Sequence, residues 1–213
     1  MTTGTAMPPE PTVFVVDDDP AMRDSLCWLL QSVDLHVETY PSADAFLAAY
    51  DAARPGCLVL DVRMPGMSGL NLQDELRARD IRLPIIMLSG HAEVPTAVRA
   101  LKAGAIDFME KPFSDELLLD RIRQAIDLDR EQRDAGARRA AVAERYALLT
   151  PREREVMELV TAGKANKVIA AELGLSPKTV EVHRAAVMDK MHADSVADLV
   201  RMRLALADDS TPR

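Results

Sequence analysis

The chain has little cysteine, no long apolar run and no surplus of positive charge. Among its 213 residues only Cys27 and Cys57 occur, in no spacing that metal ligation uses. That argues against a disulfide scaffold or a zinc module, and both thiols read as small buried hydrophobes of a reducing compartment. No stretch approaches the roughly 18 apolar residues of a membrane span, so no membrane partner is expected. Residues 1–11 are polar and rich in Thr and Pro, unlike the charged-then-apolar layout of a signal peptide, which makes the cytoplasm the expected location. The net charge of −8 argues against wholesale nucleic-acid binding.

What is present is an ordinary globular composition, 48% apolar, with its charge unevenly spread. Residues 1–127 carry 11 Lys+Arg against 20 Asp+Glu, a balance of −9, which leaves 15 against 14 for residues 128–213. An acidic front and a near-neutral back predict two domains with different partners. In the front half, apolar runs near 13–16, 36–40, 57–60, 85–88 and 105–109 alternate with helical patterns. Short continuous apolar runs read as strands buried on both faces of a parallel sheet, and the alternation implies right-handed βαβ units. Asp19 suits the N-cap of a helix over 20–32 and Pro20 its first position, with Leu26, Leu29, Leu30 and Val33 as its apolar stripe.

Residues 128–148 are charged and rich in Ala, with one Gly. They read as a linker: either the run from Asp129 to Arg133 extends a helix that begins near Asp115, or the segment is a tether broken at Gly136. After residue 149 the pattern is helical throughout. Thr150, Pro151 and Glu153 spell a capping box. Asn166 can cap a second helix in which Val168, Ile169 and Leu173 face inward, and Gly174 ends it. Ser176-Pro177 opens a third helix. Ser195 with Asp198 opens a fourth, carrying Val196, Leu199, Val200 and Leu204. Two short helices joined by a Gly-containing turn read as helix-turn-helix.

The chemistry lies at the strand ends. Asp17 and Asp18 follow Val13-Phe14-Val15-Val16, Asp61 follows Cys57-Leu58-Val59-Leu60, Ser89 follows Ile85-Ile86-Met87-Leu88, and Lys111 follows the fifth run. In open α/β sheets ligands meet the carboxyl ends of the strands. Three carboxylates there repel one another and call for a cation. Mg²⁺ takes carboxylates, retained waters and phosphate oxygens, and a carboxylate can attack phosphorus. Lys111 can pair with phosphate oxygens, and Ser89 can donate to one. Gly66, Gly69 and Gly90 leave the neighbouring loops free to approach.

The segments VVDDDPAMRDSL, LDVRMPGMSGL and IIMLSGHAEVPTAVRALKAGAIDFMEKPF, in that order, resemble a response-regulator receiver domain of the FixJ type over residues 12–127. The resemblance implies a flavodoxin-like, doubly wound, five-stranded parallel α/β sheet with Asp61 as phosphoacceptor. It implies Mg²⁺ (or Mn²⁺) on Asp18, Asp61 and the Arg63 carbonyl, with Asp17 holding a metal-bound water. It makes Ser89 the switch hydroxyl, where many relatives have Thr, and Phe108 the switch aromatic. Lys111 reaches the phosphoryl group, and the Lys111–Pro112 bond is cis.

The segment LTPREREVMELVTAGKANKVIAAELGLSPKTVEVHRAAVMDKM resembles a LuxR/NarL-type DNA-binding domain, an all-α four-helix unit placed at 146–211 after a linker at 128–145. Its helix-turn-helix falls at about 169–188. Spacing in the third helix sends Val180, Val187 and Met191 to the core. That leaves Lys178, Thr179, Glu181, Val182, Arg184 and Ala185 toward the DNA groove or its rim, with Lys178 and Arg184 for phosphates or guanine edges. Glu181 suits a cytosine amino group, Val182 and Ala185 suit thymine methyls, and His183 suits the backbone or packing. Lys164, Lys167 and Lys190 suit phosphates. Together the resemblances imply a transcriptional response regulator, not a turnover enzyme. Its partners would be a sensor histidine kinase, promoter DNA, RNA polymerase and, once phosphorylated, a second copy of the chain. In that scheme Ser89 is drawn toward the phosphate, and residues 93–103 and 105–109 form the remodelled face that dimerises in the related family, while the apolar stripe of 195–207 either pairs two copies or completes the domain core. The alternatives are a phosphorylation-gated protein-binding adaptor and a carboxylate-nucleophile phosphatase. The latter typically keeps a second Asp two residues after its nucleophile, where this chain has Arg63.

Overall fold

The fold is described from a computed structural model, for residues 10–91 and 93–207. Five apolar runs form β1 (Thr12–Val16), β2 (His36–Tyr40), β3 (Gly56–Asp61), β4 (Ile85–Ser89) and β5 (Asp107–Glu110). They make one parallel sheet in the order β2-β1-β3-β4-β5. The helices between them are α1 (Pro20–Gln31), α2 (Ala43–Ala49), α3 (Gly69–Ala78) and α4 (Val94–Lys102). α5 (Asp115–Ala147) follows β5, and α6 (Pro151–Thr161), α7 (Asn166–Leu173), α8 (Pro177–Met191) and α9 (Val196–Ala207) complete the chain.

Side chains alternate across each strand, so the sheet feeds two cores. Phe14, Val16, Leu58, Leu60 and Met87 pack on one face against Phe46, Leu72 and Leu76. Val13, Val15, Cys57, Val59 and Ile86 pack on the other against Leu26, Leu30, Leu118 and Ile122. A sheet covered on both faces explains why its central strands read as unbroken apolar runs. β5 starts at Asp107, two residues later than its apolar run, because Ala105 and Ile106 belong to the connection from α4.

Contacts divide the chain into two units that meet between Gln132 and Arg133. The helix pattern that begins at Asp115 continues through Gly136 to Ala147, so the segment is not broken at that glycine. In the first unit, buried Asp129 accepts the Gly56 N–H at 2.9 Å. In the second, Val142 and Tyr146 pack against a core of Leu149, Val156, Met157, Ile169, Val180, Val187, Met191 and Leu199.

Caps set most helix starts where the sequence places them. Asp19 accepts from Ala21 N, Thr150 and Glu153 close the capping box, and Ser176 accepts from Thr179 N. The start of α7 is a correction. Ala165 is its N-cap, without a side-chain cap, and Asn166 is already helical, with its side chain turned to α8. Val168 is also corrected: it is 46% exposed, so Ile169 and Ala170 carry the buried face of α7. Gly174 ends α7 at φ 66°, in the left-handed region that glycine enters without a Cβ penalty. In α9 only Leu199 is fully buried; Val196 and Leu204 are exposed.

Candidate functional site

Parallel pairing brings the strand ends into line. Val16 stands beside Leu60, Asp61 beside Leu88, and Ser89 beside Glu110. Asp17, Asp61, Ser89 and Lys111 therefore emerge along one edge of the sheet. The Lys111 ammonium lies 2.6 Å from an Asp17 oxygen and 2.6 Å from Asp61 Oδ1. Asp17 and Asp61 are almost wholly buried. Asp17 Oδ1 accepts the Asp19 N–H at 2.9 Å, and Asp61 Oδ2 accepts the Arg63 N–H at 2.6 Å. Every carboxylate oxygen of the pair thus has a partner, as buried charge requires.

Burial, the largest influence, holds the Asp61 carboxyl above its ordinary value, and the Asp17 charge adds to this; Lys111 and the Arg63 N–H oppose it. For Lys111, burial works against the charge, but Asp17 and Asp61 overcome it and raise its affinity for the proton. Two carboxylates on one ammonium leave an unbalanced negative charge. Asp18 adds another: it is exposed and makes no hydrogen bond or ion pair among the described residues. Among those residues no three acidic, His or Cys side chains close into a ready metal cage. The donor set nonetheless fits a hard cation that keeps several of its waters and needs only one or two carboxylates, which is the habit of Mg²⁺.

The surrounding loops are held by contacts that the sequence reading missed. Arg23 donates to the Asp17 carbonyl at 2.7 Å and fixes the turn after β1. Arg63 pairs with Glu93, the N-cap of α4, at 3.0 Å. Both join residues with no shared local pattern, so no sequence signal marks them. Gly69 has a different role from ligand approach: a Cβ there would lie 2.2 Å from the Asp61 carbonyl oxygen, so glycine lets α3 start against β3. Gly66, at φ 76°, is the residue the loop bends on. Buried Ser89 turns its hydroxyl to its own loop, donating to the His91 carbonyl at 2.8 Å. Phe108 is half-buried against the first core, and the Lys111–Pro112 bond is cis.

In the second unit, Val180, Val187 and Met191 of α8 are buried. Lys178, Glu181, Val182 and Ala185 are exposed together on the opposite side, Val182 by 63%. Thr179 and His183 are half-buried, Thr179 beside the Ser176 cap. The cations are not equivalent. Lys167 is exposed, without a partner among the described residues. Lys164 grips both oxygens of Glu172 at 2.7 Å. Lys190 is a correction, because its ammonium lies 2.9 and 2.7 Å from the Glu153 oxygens and ties α8 to the capping box of α6 rather than standing free for phosphate. Arg184 is half-buried and bonds Asn166 Oδ1 at 2.5 Å, so it leaves the groove face for the start of α7.

A phosphoryl-type acid and lysine site on a parallel sheet, followed by a separate helix-turn-helix unit, defines a phosphorylation-dependent regulator of transcription. The comparisons with known proteins agree. Residues 13–123 match the response regulator receiver domain, and residues 147–203 match the bacterial regulatory proteins of the luxR family. The chain is 49% identical to the transcriptional regulatory protein FixJ of Azorhizobium caulinodans over 210 residues, covering 97% of this chain and 100% of that one. It is 44% identical to the response regulator protein TodT of Pseudomonas putida over 196 residues, 92% of this chain and 86% of that one. Among solved structures it is similar to the response regulator StyR, with a TM-score of 0.82, 45% identity and coverage of 92% of this chain and 98% of that one. It is also similar to full-length FixJ from B. japonicum, with a TM-score of 0.57, 44% identity and coverage of 94% and 98%. The chain belongs to the two-component response regulators that join a receiver domain to a LuxR-type DNA-binding domain. It is a regulator, not a turnover enzyme.

Proposed function

We propose that Asp61 is the phosphoacceptor. A sensor histidine kinase presents a phosphorylated imidazole, an Asp61 oxygen forms the new bond to phosphorus, and the P–N bond breaks toward the imidazole. The observation that carries this is the Lys111 ammonium, 2.6 Å from both Asp17 and Asp61 at the carboxyl edge of the sheet. It can neutralise an incoming phosphoryl oxygen without leaving the site. Asp17, Asp18, Asp61 and the Arg63 carbonyl are the residues to hold Mg²⁺ or Mn²⁺, which when bound supplies charge neutralisation at the transferring group. Ser89 leaves the His91 carbonyl for a phosphoryl oxygen, and Phe108 and the loop before α4 follow.

Phosphorylation then favours a homodimer through α4, where Val94, Val98 and Leu101 are exposed by 74%, 43% and 47%. The dimer binds promoter DNA with α8 in the major groove, read by Lys178, Thr179, Glu181 and Val182, with Arg184 and Lys167 toward phosphates and Lys164 held by Glu172. RNA polymerase is the further partner, and the cytoplasm the compartment. No helix among the described residues is long and apolar enough to cross a membrane. The working limits are 12–127 for the receiver domain, 128–145 for the linker and 146–211 for the DNA-binding domain; residues 208–211 lie outside the described residues.

The test is incorporation of phosphoryl groups from acetyl phosphate with Mg²⁺. Wild type should be labelled and Asp61→Asn should not. Undiminished labelling of that variant would remove Asp61 from its role.

A further inference from the structure

We infer that Asn166 is a positioning residue for DNA binding: it holds Arg184 at the start of α7 with its charge intact, as a contact to the phosphate backbone rather than to bases. This rests on the DNA-binding reading of α7 and α8 and assigns a residue that reading leaves idle. Three cations of the helix-turn-helix region are tethered, and their tethers differ in charge. Lys164 faces both oxygens of Glu172 and Lys190 both oxygens of Glu153, so each of those ammonium groups is neutralised by its own partner. Arg184 is tied instead to a neutral amide oxygen, Asn166 Oδ1, at 2.5 Å. A guanidinium has five N–H donors, of which this bond uses one. The rest of the planar fork suits the oxygens of a phosphate.

The tether also sets direction. Val180, Val187 and Met191 define the inner face of α8, and Arg184, four residues after Val180 and three before Val187, lies toward that face. Its long stem carries the charge back to Asn166 and away from exposed Lys178, Val182 and Ala185. In a helix-turn-helix the second helix reads base edges while the first crosses the sugar-phosphate backbone. A charge delivered to the first turn of α7, beside exposed Lys167, is therefore delivered to the backbone. Fixing the side chain before binding lowers the ordering cost at the interface. Asn166 thus gives up the capping role its residue type favours, which leaves Ala165 at that position.

A backbone contact is independent of sequence, so random-sequence duplex DNA is a sufficient probe. Full-length wild type and variants, each treated with acetyl phosphate and Mg²⁺, are titrated with it over a range of salt. Arg184→Ala is expected to bind about tenfold more weakly at about 0.1 M salt, and its plot of log affinity against log salt should be shallower by about 0.9. Asn166→Ala should lose about fivefold with a shallower slope, and adding it to Arg184→Ala should cost nothing more. Asn166→Asp keeps the tether but cancels the charge, so the thermal midpoint should hold while affinity and slope fall as in Arg184→Ala. Wild-type affinity and slope in folded Asn166→Ala, or fully additive losses in the double variant, would overturn the inference alone. If wild type does not bind the duplex, the DNA-binding reading fails and the inference with it.

Discussion

Asp61 and Lys111 show what one residue can determine at a buried site. Ionised Asp61 costs the fold stability: its carboxyl titrates above the ordinary 3.8, so the cost appears as pH rises through 3.8 and is complete once the raised value is passed. Asp61→Asn removes that charge while Lys111 keeps Asp17, and the variant is expected to melt higher than wild type at neutral pH. A lower midpoint would contradict the desolvation argument. Lys111→Met leaves two buried carboxylates without their cation and should cost about 3 kcal/mol. Added Mg²⁺ should restore more stability to that variant than it adds to wild type, measured by denaturant unfolding of the receiver unit with and without the ion. Equal effects of Mg²⁺ on both would count against a cation place between Asp17 and Asp61. Residues at strand ends were legible because a short apolar run forces the next polar residue to the sheet edge. Arg23, Arg63 with Glu93, and Asn166 with Arg184 were not, since each depends on where two segments meet in space.

At the scale of elements, caps and apolar spacing carried most of the information. The Asp19, Thr150 and Ser176 starts follow from local hydrogen bonding alone. Asn166 misled because a good capping residue was taken up by a tertiary partner. α5 was ambiguous because a charged, Ala-rich segment with one glycine suits both a helix and a tether. Thr150→Ala should weaken α6 by about 1 kcal/mol, seen as faster hydrogen exchange in its first turns. The other half of that capping box is pH-dependent. The Lys190 ammonium, followed by the Thr150 N–H, holds the Glu153 carboxyl below its ordinary 4.5. Its contribution is complete above 4.5 and is lost as pH falls through the lowered value. Protection along α6 should therefore drop in acid, and Glu153→Gln should abolish that drop. An unchanged acid profile in Glu153→Gln would assign the effect elsewhere.

Across the whole molecule the charge division matches the division of labour. The acidic half bears the receiver domain, and the near-neutral half bears the helix-turn-helix. Near-neutral charge predicts weak binding of DNA by a single copy, and the proposed pairing on two half-sites would raise the affinity. Sedimentation of the full chain should show a shift from monomer toward dimer after treatment with acetyl phosphate and Mg²⁺. Val98→Asp on α4 should suppress that shift without reducing phosphorylation, and a dimer formed equally well by the variant would place the interface on another face.

A phosphoryl group on Asp61 is proposed to control DNA binding by the helix-turn-helix unit. Capture of fragmented genomic DNA from the source organism tests it most directly, with full-length wild type and Asp61→Asn, each with and without acetyl phosphate. Phosphorylated wild type should enrich discrete sites that are weak in the other three samples. Equal enrichment of the same sites by treated Asp61→Asn would contradict it.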